Sequence, residues 1–352
     1  MYKSLLLCIA FLTPLAATAQ DADSTRFLEA RISQLEHQIA SSKVRFSGQF
    51  ISGFGLRSAP LGATTDETAF RIDRWFFTAE ANVSETVGLR VTTDVKPTAT
   101  SNANKDVLTL AYAHVDWDVQ PGLTLQAGMI PGGWVNQVNS LWGFRGVTKV
   151  LPDAENLLSM GVLGASARYR LPDGRGTMGV VVHNGQTRQP SEEDQVEFGA
   201  YALGRPLHNF PIVVGGHASH TRTADALNVD RWGALVGVKG SRGLLSFDYE
   251  ARSEEGQIST GVGVMSNLVL GRLAPLGTVT LVGLADWYTP LHSADSVERL
   301  RTVLGLAVEV APGFNLALDY QREQANEAVF ARTDGGFSDT DGTLYLHIFL
   351  TY

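Results

Sequence analysis

The residues that could do chemistry come first: the histidines, the serines and the charged side chains set at strand spacing. His217 and His220 form the tightest histidine pair, but a spacing of three puts them on opposite faces of a strand, a poor arrangement for a metal. His183, His208, His292 and His347 are scattered. Ser159, Ser166 and Ser219 lack a nucleophile-elbow context, and no glycine-rich phosphate loop opens a helix. The single cysteine, Cys8, lies in the first apolar run, so the rest of the chain offers neither a disulfide nor a thiolate ligand. No enzymatic activity, cofactor or metal is expected. The charges are more informative. Arg74, Arg90, Arg168 and Arg170, with Glu80 and Asp116, alternate with apolar neighbours, and Arg145 and Lys149 stand four apart in a long aromatic-bearing segment. Side chains in such rows can line a water-filled passage and set the barrier an ion must cross. The formal net charge of −8 argues against a general affinity for nucleic acid.

The elements that must hold these charges follow from the periodicity. Lys3 precedes the apolar run Leu5 to Leu12 and the small-residue stretch Ala17-Thr18-Ala19, so residues 1–19 read as an export signal. The run is too short to cross about 30 Å of hydrocarbon as a helix. Residues 20–42 form a short polar segment whose Leu28, Ile32, Leu35 and Ile39 share one helical face, suited to a coiled coil or to packing on the chain's own barrel. From residue 43 to residue 352 the period changes to two. Leu344, Leu346, Ile348, Leu350 and Tyr352 make one apolar face of the last segment, and Phe349 is the exception on the other.

Alternation alone also suits a soluble β-sandwich, so the connections decide. Tight links at Ser84 to Thr86, Pro121-Gly122, Pro172 to Gly176, Leu207 to Pro211, Ser241 to Gly243, Ala274 to Gly277 and Pro312-Gly313 alternate with longer polar ones. The longer ones lie near Ser58 to Glu67, Thr98 to Asn104, Pro131 to Asn156, Gln186 to Glu192, Ala224 to Asn228, Ser253 to Glu255, Pro290 to Ser296 and Ala325 to Asp339. Short turns on one rim and long loops on the other predict an all-β, transmembrane antiparallel β-barrel of about sixteen strands, with the short helical segment at its N-terminus. Trp75, Phe77, Trp117, Tyr169, Trp232, Tyr249, Trp287, Tyr320 and Tyr352 share phase with the apolar face, as interfacial girdles would. The expected partners are therefore the lipid of a bacterial outer membrane and, because the chain ends on an aromatic strand at Tyr352, the barrel-assembly machinery.

Several segments carry a family resemblance. Phe46 to Phe50, Arg71-Ile-Asp-Arg74-Trp-Phe-Phe-Thr-Ala-Glu80 to Asp94, Ala111 to Trp117, Leu123 to Pro131 and Val181-Val-His183-Asn184-Gly185 resemble the phosphate-selective porin O and P family. The likeness covers roughly Val44 to Gln186. It implies a sixteen-stranded porin, a homotrimer, with the third loop folded into the lumen and small polar or anionic solutes, phosphate among them, as cargo. The lumen charges temper that implication, because inward-phased cations and carboxylates nearly balance and suit pairing across the wall. Within the loop from Pro131 to Asn156, Trp134, Trp142 and Phe144 want burial, which would leave Arg145 and Lys149 at a constriction facing Asp153 and Glu155. Arg74, Arg90, Arg168, Arg170, Asp116 and Glu80 are the expected pore-lining partners on the wall. The competing expectation is an occluded barrel that binds a partner or stabilises the envelope through its long loops.

Overall fold

The hydrocarbon of a bilayer offers no partner for backbone N–H and C=O groups, so a spanning sheet must close on itself. In the computed structural model it does. The residues described are 31, 44–58, 67–100, 103–186, 195–207, 210–222, 228–290, 298–327, 330–331 and 337–352. The strands are β1 Arg45–Ser58, β2 Glu67–Asn82, β3 Val87–Thr100, β4 Ala103–Gln120, β5 Leu123–Pro131 and β6 Gly161–Arg170. There follow β7 Gly176–His183, β8 Val196–Gly204, β9 Ile212–Arg222, β10 Asn228–Gly240, β11 Gly243–Glu254 and β12 Gln257–Leu273. The last are β13 Gly277–Thr289, β14 Arg299–Ala311, β15 Phe314–Ala325, the two short strands β16 Phe330–Ala331 and β17 Phe337–Ser338, and β18 Thr340–Thr351. Sixteen of these form one closed antiparallel barrel in chain order, β1 pairing with β18, while β16 and β17 make a separate two-stranded ladder in the final loop.

All seven expected tight links join consecutive strands, so one rim is built of turns. Two of the expected longer links are shorter than the sequence suggested. The β3–β4 ladder continues through Thr98↔Lys105 to Thr100↔Ala103, which converts most of the Thr98 to Asn104 link into strand. Between β11 and β12 the ladder closes at Glu254↔Gln257, leaving Glu255 and Gly256 at φ 53° and 80°. Two positive φ values in a two-residue loop match the right-handed twist of the flanking strands, which explains a tight hairpin there.

The expected helical segment over residues 20–42, like the signal at 1–19, lies outside the described residues apart from Arg31. The helices that the structure describes between strands are internal: α1 Gly133–Trp142 and α2 Leu151–Ala154, with one turn of 3-10 helix at Pro172–Gly174. The helical content described between the strands thus lies mainly in the third loop.

The predicted phase is observed. Leu344, Leu346, Ile348, Leu350 and Tyr352 all face outward and are exposed, as are Trp75, Phe77, Trp117, Trp232, Tyr249, Trp287 and Tyr320. Phe349, out of phase, is buried on the lumen side. A charge on the outer face must displace lipid contact without gaining water. Ile348→Arg should destabilise the barrel by about 2 to 4 kcal/mol at midplane depth, measured as a lowered urea midpoint of the refolded protein. An unchanged midpoint would contradict the outward assignment.

Candidate functional site

At Pro131 the chain leaves the wall and turns into the barrel. Gly132 and Gly133 make this possible: a Cβ on Gly132 would lie 2.0 Å from the Ser159 carbonyl oxygen, and one on Gly133 would lie 2.3 Å from the Tyr201 ring. α1 follows, with Trp134, Val135, Val138, Leu141 and Trp142 on one buried face. It stops at Gly143, which takes φ 78° and donates its N–H to the Asn139 carbonyl at 2.9 Å. The buried face packs on Tyr201, Val213, Leu235, Met265, Val282 and Leu284, inward-pointing residues of β8 to β13. One half of the barrel therefore holds a hydrophobic core inside its lumen.

Polar contacts fix the same side. Trp134 Nε1 donates to Glu250 Oε1 at 2.7 Å, while His217 Nε2 meets Glu250 Oε2 at 2.7 Å and its ring lies 5.3 Å from that of Trp134. Asn267 donates to the Trp142 carbonyl (3.2 Å), Gln321 to that of Val147 (2.9 Å), and Arg301 to that of Lys149 (2.9 Å). At the loop's tip Gly146 rests on Phe349, whose ring would stand 2.3 Å from a Cβ there. This accounts for the aromatic that broke the alternation. His347 stacks on Phe349 at 5.7 Å and is itself set between Asp319 (3.0 Å) and Asp73 (3.8 Å). The loop is thus held from β8 round to β18. Toward β4, Tyr112 reaches Asn136 at 3.4 Å.

The space beside β1 to β6 is where the expected site residues gather. Arg145 grips Asp153 Oδ2 through Nε (3.1 Å) and Nη2 (3.0 Å), and Lys149 lies 4.0 Å from Asp153 Oδ1 with 42% of its side chain exposed. Burial lowers the pKa of the Lys149 amine against the pull of Asp153. Glu155 does not join them. Burial raises its pKa, opposed by Arg299 and Arg301 on β14, and among the described residues it makes no ion pair with Arg145 or Lys149.

On the wall, a bulge in β2 sets Ile51 opposite Arg74 and Ser52 opposite Ile72, inserting Asp73 between them. Asp73 and Arg74 are consecutive, yet Asp73 approaches His347 and Arg74 bonds Asp94 on β3. Arg90 sits 5.5 Å over the Tyr112 ring and 3.7 Å from Glu80, which also takes Arg45 at 3.2 Å. Asp116 accepts from Gln126 at 2.7 Å and lies 3.5 Å from His114. Arg168 and Arg170 differ from the rest. Among the described residues they have no ion pair and no side-chain hydrogen bond, and with Asp116, Asp118 and Thr124 they line a polar cavity of about 580 Å³ at the turn-side mouth.

The pairings of Glu250 with His217 and of His347 with Asp319 and Asp73 escaped the sequence reading because pairing across strands leaves no trace in linear spacing. A signal for the loop's seat did exist: Trp232 to Val238 and Leu281 to Leu284 are apolar on both faces, more than a polar lumen requires. His217 and His220 do fall on opposite faces, the first on Glu250 inside, the second on Asp230 outside at 2.8 Å.

The Trp134 anchor gives a direct test. Trp134→Phe keeps a ring but strips Glu250 of a buried donor, so the loop's seat should weaken by about 1 to 3 kcal/mol. Limited proteolysis within Gly143 to Lys149 should accelerate while the barrel itself stays heat-modifiable. Unchanged cleavage would make the indole hydrogen bond dispensable.

No family model and no curated protein matches the sequence. Solved structures do match in fold. The anion-selective porin from Comamonas acidovorans superposes with a TM-score of 0.64 at 11% identity, covering 89% of this chain and 100% of that one. OmpT of Vibrio cholerae in its trimer form gives 0.59 at 9% identity over 88% of this chain and 99% of its own. The outer membrane channel DcaP of Acinetobacter baumannii gives 0.58 at 12% identity over 89% and 98%. At such identities the likeness establishes the fold, a sixteen-stranded barrel shared with outer-membrane porins, and the phosphate-selective family in particular is not what these matches single out.

Proposed function

We propose that the protein is a passive-diffusion channel of a bacterial outer membrane, admitting small polar solutes with a modest preference for anions. One observation carries the reading: the third loop packs mainly on β8 to β18, while the charged residues Asp116, Asp118, Arg168 and Arg170 of β4 and β6 line an open polar cavity at the turn-side mouth. A plug would be held on all sides. Conduction asks only for polar walls and a constriction, and among the described residues nothing brings a nucleophile to a base and an orienting acid.

Selectivity follows from which charges are already answered. Arg74, Arg90 and Arg145 each have a carboxylate partner, so their fields largely cancel beyond a Debye length of roughly 8 Å at physiological salt. Lys149 shares Asp153 with Arg145, so that one carboxylate serves two cations. Among the described residues Arg168 and Arg170 make no ion pair, and Asp116 and Asp118 beside them are held to the wall by Gln126 and Thr124. These guanidinium groups, outside any ion pair among the described residues, are the ones a passing anion meets. Phosphate is the anion that the sequence resemblance suggests.

The same reading includes removal of residues 1–19 on export, delivery by the barrel-assembly machinery and assembly as a homotrimer. Subunit contact suits the outer face of β1 and β2, where Phe46–Phe77, Phe50–Trp75 and Phe54–Phe70 pair along the strands rather than at their ends alone. OmpT of Vibrio cholerae, with the same fold, has a trimer form.

In planar bilayers under a salt gradient, Arg168→Ala with Arg170→Ala should move the reversal potential toward cations. Arg145→Ala with Lys149→Ala should move it less, because Asp153 offsets one of those two charges. A larger effect from the loop pair would relocate the selectivity element to the constriction. The pH dependence has a defined sign: Glu155 titrates above the usual carboxylate range, so lowering pH through it removes a negative charge and strengthens anion preference. Glu155→Gln should abolish that component, and an identical pH profile in the variant would exclude Glu155 as its source.

A further inference from the structure

Beneath the returning arm of the third loop lies a patch that conduction does not use. Asp248 on β11, Gly263 on β12 and Asp286 on β13 are successive partners in one row across the wall, and the row continues to Arg301 on β14. Arg301 bonds Asp286 and reaches Thr148 Oγ1 and the Lys149 carbonyl, so the row is roofed by the loop. Leu151 closes over Gly261, two residues along β12. Asp248 is 5% exposed and Asp286 3%. Neither oxygen of Asp248 has a hydrogen-bond partner, and neither does Oδ1 of Asp286.

Two features turn this acidic pair into a site. The first is room: a Cβ on Gly263 would stand 2.4 Å from Asp248 Oδ1, so the glycine lets that carboxylate lie over β12 toward Asp286. The second is unmet charge. Arg301 answers one of the two carboxylates, and a buried carboxylate with no donor and no counter-charge is strongly disfavoured. Asp248 and Asp286 stand two strand spacings apart, roughly 9.5 Å between Cα positions, and their side chains lean inward from there. Carboxylates leaning toward each other from that spacing are what one hard cation, with ligands at about 2.3 to 2.6 Å, would bridge. Glu250, the nearest other acid on β11, has both oxygens taken by Trp134 and His217.

We propose that Asp248 and Asp286 hold a divalent cation of the calcium class between the wall and the third loop, with water completing its oxygen shell. The ion supplies the counter-charge that Asp248 lacks once Arg301 has answered Asp286, and ties β11 and β13 beneath the loop's returning arm. Among the described residues no cluster of three or more His, Cys, Asp or Glu is arranged for a metal, so the protein supplies two carboxylates. Affinity should accordingly fall in the weak range, with a dissociation constant on the order of 10⁻⁴ to 10⁻³ M.

The probe is Tb³⁺, a luminescent stand-in for Ca²⁺, added to the full barrel refolded in detergent. Trp134 bonds Glu250, two residues from Asp248, and serves as the sensitiser. A saturable emission displaced by Ca²⁺ is expected. Asp248→Asn should weaken it by about 10- to 100-fold, and so should Gly263→Ala, which changes no charge. Asp173→Asn, in an exposed turn, should leave it intact. Heat-modifiable migration identifies the variants that have folded, and Asp286→Asn replaces any that has not. Absence of sensitised emission overturns the proposal, as does emission untouched by both Asp248→Asn and Gly263→Ala. So does an infrared carbonyl band from a protonated carboxyl that persists at saturating Ca²⁺ and vanishes in Asp248→Asn, since the counter-charge would then be a proton.

Discussion

The closure of β1 onto β18 is the contact on which the rest depends. Gly48 and Tyr352 exchange backbone hydrogen bonds at 2.9 and 3.1 Å, and the ladder runs on from Gln49↔Thr351 to Ser58↔Gly342. Without that seam two strand edges would expose unpaired polar groups to hydrocarbon, at several kcal/mol each. Gly48 is required there, because a Cβ would fall 2.5 Å from both the Phe76 carbonyl oxygen and the Tyr352 ring. Once the sheet is closed, its two faces meet different solvents. The outer face is apolar because lipid surrounds it, and the inner face must be either hydrated or filled.

This barrel does both, on opposite sides of one lumen. Against β8 to β13 the third loop lays down a core of Trp134, Val135, Val138, Leu141 and Trp142 that resembles the interior of a soluble protein. Against β1 to β6 the wall stays polar and its charges pair locally, Arg74 with Asp94 and Arg90 with Glu80. Local pairing has a functional consequence: a lumen lined with many charges presents only a weak field except where a partner is missing. The loop's rigidity has one too. Its tip is fixed by Gly146 on Phe349 and by Gln321 on the Val147 carbonyl, so the constriction is set by packing rather than by a hinge.

The architecture was largely legible in the sequence because the bilayer imposes it. Period-two alternation, seven short links and girdle aromatics each reflect one physical requirement, and together they define the strand number and phase. The insertion of the third loop was legible for a related reason, since Trp134, Trp142 and Phe144 could not remain in water. What stayed hidden depends on register. The bulge that turns both Asp73 and Arg74 inward, the seat of Trp134 on Glu250 and the Asp248–Gly263–Asp286 row all arise from which residues lie side by side on neighbouring strands. Phe349 looked like an irregularity and is the loop's anchor. Glu155 looked like a partner of Arg145 by proximity in sequence, yet the loop's return carries it toward β14. The likeness to phosphate-selective porins rests on segments between Val44 and Gln186, and the fold matches do not single out that family.

The central claim is that the third loop narrows the lumen without closing it. Single-channel recording of the refolded wild-type protein, paired with liposome swelling by sugars of increasing size, measures this directly. The account predicts discrete ohmic steps and swelling that falls off with solute size. A heat-modifiable, fully folded barrel that passes neither current nor sugar would contradict it.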